Sequence, residues 1–160
     1  MSVEIRGYEE RDRDAVVDLS LRAWEPVHAS LRRVLGAGLY DRMTPDWRAA
    51  QREAVTADLD AEEARVWVAL ADGAVAGFVS VRLRPGDDMG EITLAAVDPA
   101  HQGRGIGTEL TVFAVERIRD LGMGTAMVET GGDEGHAPAR RAYEKAGLVP
   151  LPITRYFTEL

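Results

Sequence analysis

"LAAVDPAHQGRGIGTEL" (residues 94–110) decides how this chain is read. It passes from an alternating segment through an Asp-Pro stop into Gly103, Gly105 and Gly107, then into residues at helical spacing. A strand, a tight turn and a helix start in that order leave backbone N–H groups unpaired at the positive end of the helix dipole. That arrangement suits an anion, and glycines let a ligand approach with no Cβ in the way. A turn that only reverses the chain is the plainer alternative. A P-loop is excluded, because no lysine stands beside Gly107. A dinucleotide fold asks for a third glycine where Thr108 stands, directly after a strand. Glu129, about 20 residues on, lies where a ribose-binding acid would, so a nicotinamide site stays open as an alternative.

Outward from this stretch, the pattern predicts a mixed sheet. "VEIRGY" (3–8) reads as a first strand. Asp12 stands as an N-cap to a helix reaching about Trp24, with Ala15, Val16, Leu19 and Ala23 on one face. Residues 26–43 hold a helical stretch around Leu31–Leu35, broken by Gly36 and Gly38. "TPDW" (44–47) starts another helix, with Thr44 as cap and Pro45 in first position, running to about Glu63. "RVWVAL" (65–70) and "AVAGFVSVRL" (74–83) alternate around an Asp-Gly turn, a hairpin signal. "EITLAAV" (91–97) is the next strand, ended by Pro99. Leu110, Phe113, Ala114, Ile118 and Leu121 mark a helix; "TAMVET" (125–130) is a strand; "APARRAYEKAG" (137–147) is a helix stopped by Gly147. "LVPLP" and "ITRYFTEL" complete the order as short terminal strands. Hairpin strands followed by a strand–helix–strand crossover imply an α+β domain with a mixed sheet.

Composition narrows the function classes. The length of 160 residues fits one domain. The net charge of −8, with no Lys/Arg run longer than two, speaks against a nucleic-acid binder. No apolar run is long enough to span a membrane, and the N-terminus shows no secretory pattern. With no cysteine there is no disulfide, thiolate metal site or thiol nucleophile, and a cytoplasmic location is expected. His28, His101 and His136 lack metal-ligand spacing, so no metal is expected.

The stretch resembles the acetyl-CoA-binding motif of the GNAT superfamily of N-acetyltransferases, a [Q/R]-x-x-G-x-[G/A] pattern after a strand ending in V-x-P. Gln102-Gly103-Arg104-Gly105-Ile106-Gly107 fits it. "ARRAYEKAGL" (139–148) resembles the family's second motif, a helix carrying a tyrosine and an E-x-x-G-[F/L] stop. The element order matches along nearly the whole chain. The resemblance implies one domain over residues 1–160, with a mostly antiparallel six- to seven-stranded sheet flanked by about four helices. It implies acetyl-CoA as co-substrate and a small-molecule or peptide amine as acceptor, in a monomer or homodimer. A silent acyl-CoA sensor of the same fold is the rival reading.

Carried onto these residues, the resemblance puts the CoA pyrophosphate on the backbone of Gln102, Gly103, Arg104, Gly105, Ile106, Gly107 and Thr108. The pantetheine arm pairs with Ala95, Ala96 and Val97, in a slot opened by a strand bulge. A backbone N–H near Val97 polarises the thioester carbonyl. Tyr143 matches the family tyrosine and is the expected general acid for the CoA thiolate; a core tyrosine is the alternative. Glu129 and Glu91 are the two expected bases, each otherwise a solvated carboxylate. His136 stands where many relatives carry an Asn that touches CoA or substrate. Trp24, His28, Tyr40 and Trp47, ahead of the first hairpin, line an acceptor pocket or pack helices onto the sheet.

Overall fold

A computed structural model describes residues 3–160. Alternation along β3 (Ala74–Arg84) sets the layering: Val79 and Val81 are buried on one face, Phe78 on the other. The sheet has five strands in sequential order, with β1 (Glu4–Gly7), β2 (Ala64–Ala71), β3 and β4 (Met89–Val97) antiparallel. β5 (Thr125–Val128) joins β4 in parallel. α1 (Arg13–Leu35) and α3 (Trp47–Asp60) cover one face, burying Val16, Val17, Leu19 and Val55 against Val68 and Phe78. α4 (Ile106–Asp120) covers the other, burying Leu110, Ala114 and Ile118 on Val79, Val81 and Ile92. α4 lies so close that a Cβ at Gly90 would fall 2.5 Å from Ile118. α2 (Ala37–Met43) packs on α1, and α5 (Ala137–Lys145) on α4.

The mixed, mostly antiparallel sheet with helices on both faces is as expected; its outer parts differ in detail. Among the described residues there are five strands rather than six or seven, and five α-helices rather than about four. Residues 148–160 form no strand. Pro150 and Pro152 have no N–H to give a ladder, and alternating apolar residues need an edge to dock on. Val149, Leu151 and Ile153 therefore stand at least three-quarters exposed. α1 continues through Pro26 to Leu35, because the proline forfeits one N–H while the buried face holds the helix to the sheet. Asp12 is not a side-chain cap; its carboxylate takes Arg6 in two bonds of 2.7 and 2.9 Å and the Glu9 N–H at 2.9 Å. Thr44 closes α2 by donating to the Tyr40 carbonyl, and Asp46 caps α3 by accepting from Ala49 N–H.

One irregularity positions everything that follows. Ser80 faces Leu94 and Val81 faces Ile92, so Thr93 is an extra residue in β4, a bulge. Its hydroxyl donates to Asp58 of α3 at 2.7 Å. Asp58 is buried, which alone would raise its pKa, but bonds from Thr93 and Arg82 outweigh that and hold it below the ordinary value. β4 pairs with β5 only up to Ile92 and Val128, just before the bulge.

Candidate active site

Beyond that last pair the two strands part and enclose a cavity of about 230 Å³. Ile92 to Val97 form one wall, Val128 to Thr130 the other. Pro138, Ala139, Ala142 and Tyr143 of α5 close the far side, and Ala23, Trp24 and Val27 of α1 the near side. A second cavity of about 240 Å³ adjoins it through Val97, Gln102 and Gly107 and is lined by the glycine turn. A cavity thus lies where the expected slot would run, just past a bulge that sequence alone does not reveal.

The glycine turn leaves backbone N–H groups open at the start of α4. Gly103 and Gly105 sit at φ +80° and +81°, where a side chain would be strained, and a Cβ on either would project into open space. The first-turn N–H groups of Ile106, Gly107 and Thr108 have no intrahelical acceptor. Gln102 does not reach outward: its amide donates to the Val97 carbonyl at 3.1 Å and fastens the turn to the strand end. Asp98 caps the turn through Ala100 N–H and pairs with Arg22 of α1 at 2.6 Å. Arg104 is exposed. Arg141 and Lys145, four residues apart on α5, line the cradle and add positive charge that the sequence reading missed. Their i, i+4 spacing on the motif helix was the available signal.

The strand edge is also ready. Asp98 N–H donates to the Ala76 carbonyl at 2.8 Å, toward β3. N–H groups alternate along a strand, so those of Ala95 and Val97 point the other way, into the slot. The Val97 carbonyl is taken by Gln102, and its N–H is left for a ligand.

The expected site residues are only partly brought together. Tyr143 faces the slot, and burial alone pushes its hydroxyl above the ordinary phenol value, keeping it protonated at neutral pH. Glu129 stands at the mouth, largely exposed, with Arg155 at 3.8 Å. Glu91 lies outside: it sits in the paired part of β4, opposite Met127, and Arg84 grips its carboxylate at 2.6 and 3.0 Å. His136 and Trp24 line the slot and meet edge to face at 6.1 Å. His28 and Tyr40 sit behind Trp24, joined by a 2.9 Å hydrogen bond, with His28 stacked on Trp47 at 4.4 Å. Neither lines the cavity; both sit among the helices α1, α2 and α3. Among the described residues no cluster of His, Asp and Glu could hold a metal.

The sequence profile of the acetyltransferase (GNAT) family matches residues 34–148, taking in the bulged strand, the glycine turn and α5. The chain belongs to this family. Among curated relatives, the mycothiol acetyltransferase of Thermomonospora curvata is 34% identical over 103 residues, 60% of this chain and 34% of that protein. The chain thus spans about a third of the length of the curated relatives it matches. Among solved structures, the ribosomal-protein-S18-alanine N-acetyltransferase of Escherichia coli superposes with a TM-score of 0.64 at 19% identity, over 91% of this chain and 77% of that one. The PaiA N-acetyltransferase of Thermoplasma acidophilum, in complex with coenzyme A, gives 0.66 at 16% identity, over 90% and 88%. At these identities the structures establish the GNAT fold alone. No helix among the described residues is long and apolar enough to cross a membrane.

Proposed function

We propose that this chain transfers the acetyl group of acetyl-CoA directly to a primary amine of a small molecule or peptide. One observation carries the reading: a slot runs from a glycine cradle, along a strand edge with free N–H groups, to a half-buried tyrosine. The donor set fits a CoA thioester. The cradle, Arg141 and Lys145 suit its phosphates, and the edges of Ala95 and Val97 suit its amide-bearing arm. Acetyl-CoA supplies an activated acyl group, so no covalent enzyme nucleophile is required.

The chain's own residues then have three tasks. The Val97 N–H, aimed into the slot, stabilises negative charge on the acyl oxygen. Tyr143 supplies the proton that the departing thiolate takes. Glu129 at the mouth favours a cationic acceptor, and Trp24 gives it an apolar wall.

The test has two parts. Acetyl-CoA should raise the melting temperature and NAD should not; the reverse would end this reading. CoA thiol release should then appear with at least one member of an amine panel that starts from the acceptor of the mycothiol acetyltransferases. Binding of acetyl-CoA with no release across the panel would instead support a sensor.

A further inference from the structure

The loop between β5 and α5 holds a group of side chains that the acetyl-transfer reading leaves unused. Asp133 accepts on one oxygen from the Ser30 hydroxyl of α1 at 2.6 Å and from Gly135 N–H at 3.2 Å. Its other oxygen meets Nδ1 of His136. The His136 and Asp133 side chains are 13% and 10% exposed, so this pair is shielded from water rather than dangling in it. Burial pushes the Asp133 carboxyl up, but the bonds from Ser30 and His136 outweigh it and hold it below the ordinary value. Asp133 is therefore a carboxylate at neutral pH and can only accept, so Nδ1 carries the proton. With hydrogen on Nδ1, Nε2 is the ring position that can take a proton. Nε2 takes no hydrogen-bond partner among the described residues, and His136 lines the slot. It is the ring nitrogen left for the slot, since Nδ1 is taken by Asp133.

Position adds to chemistry. His136 is the N-cap of α5 and Tyr143 lies seven residues on, two turns along the same face. The two are about 10 Å apart along the helix axis and both line the slot. An acid and a base are thus spaced by one rigid element. The alternatives are less well placed: Glu91 is outside the slot, and Glu129 is largely in water.

We propose that His136 is the catalytic base of the transfer, with Asp133 and Ser30 as positioning residues that fix its tautomer; this rests on the acetyltransferase reading above. The acceptor nitrogen's lone pair forms the N–C bond to the acyl carbon, and its proton passes to Nε2. The C–S bond breaks, and the sulfur takes the Tyr143 proton. His136 then returns its proton to water and Tyr143 regains one, so the balance is amine plus thioester to amide plus thiol. Around His136 stand Asp133 on its own loop and His28 on α1, while Glu129 after β5 and Tyr143 on α5 share the slot with it and Arg140 of α5 reaches the same loop. Arg140 is spent on the Gly131 and Asp133 carbonyls at 2.6 and 2.7 Å.

The experiment follows the pH profile of kcat/KM with an amine that the panel identifies, alongside ¹⁵N-edited spectra of the His136 ring. The expected tautomer carries hydrogen on Nδ1. His136→Gln should lower kcat roughly a hundredfold while the KM for acetyl-CoA hardly moves. Asp133→Asn should move the acidic limb down, because a base that loses its carboxylate holds a proton less well. Ser30→Ala should shift the same limb the opposite way, because a carboxylate that loses a hydroxyl donor turns more of its charge on the ring; a purely structural serine would not shift it. An Nε2–H tautomer would overturn the proposal. So would wild-type kcat in His136→Gln, or a limb that stays in Asp133→Asn and vanishes in Glu129→Gln; in those cases acetyl transfer itself stands. Absence of transfer to any amine by the wild-type chain removes both readings.

Discussion

Tyr143 and His28 show how burial makes ordinary side chains testable. Tyr143→Phe keeps the ring that walls the slot and removes only the proton. Its kcat should fall roughly a hundredfold in a thiol-release assay, with acetyl-CoA binding, measured by calorimetry, changing far less. Equal losses in both would make Tyr143 a binding residue. His28 tests folding instead. Burial lowers its pKa from 6.5, and the nearby His136 and Arg48 lower it further. The unfolded chain therefore binds a proton near pH 6.5 that the folded chain resists. His28 contributes its full stability above that pH and loses it as the pH falls below. Between pH 6.5 and 5 the melting temperature should decline, and His28→Gln should flatten that decline. The same residue shows why its place in the fold could not be read from the sequence. An aromatic cluster ahead of the hairpin is equally a pocket or a packing layer in sequence, and only the stacking on Trp47 distinguishes them.

At the scale of elements, the glycine turn and the bulge differ in how far they could be read. The turn was legible because its requirement is local: a left-handed backbone before a helix selects glycine. Gly105→Ala should cost about 1–2 kcal/mol in chemical denaturation, from strain at φ +81°, and should weaken acetyl-CoA binding. The bulge at Thr93 was not legible, because "EITLAAV" alternates without a break. What fixes it is Asp58, 35 residues away on α3, held in turn by Arg82 at 3.1 Å. Asp58→Ala would free Thr93 and strand the Arg82 charge. The expected loss is on the order of 3 kcal/mol, the low end for a buried pair because Arg82 is one-third exposed. Acetyl-CoA affinity should fall with it, as the slot depends on where β4 leaves β5. The acid and base candidates divide the same way: Tyr143 was named from its helix motif, whereas Asp133 and Ser30 meet across 103 residues and leave no local trace.

For the whole molecule, the slot is a seam: β4 and β5 are joined by only four residue pairs, and their far ends are held apart. A ligand that spans both walls should therefore stabilise the fold strongly. Acetyl-CoA at a hundred times its Kd adds about 2.7 kcal/mol, and the melting temperature should rise by about 5–10 °C for a chain of this size. A rise of the same size with NAD would contradict the slot's assignment. The exposed segment after α5 marks the other limit of sequence reading, since "LVPLP" and "ITRYFTEL" alternate like strands and yet pair with nothing among the described residues. The sequence by itself determined the order of the strands from β1 to β5, the glycine turn and the motif tyrosine, because caps, turns and periodicity are set by neighbours along the chain. Tertiary structure decided the open slot, the withdrawal of Glu91 to Arg84 and the Ser30–Asp133–His136 chain. Each of those depends on side chains far apart in sequence competing for one partner, and that competition is settled only when the layers pack.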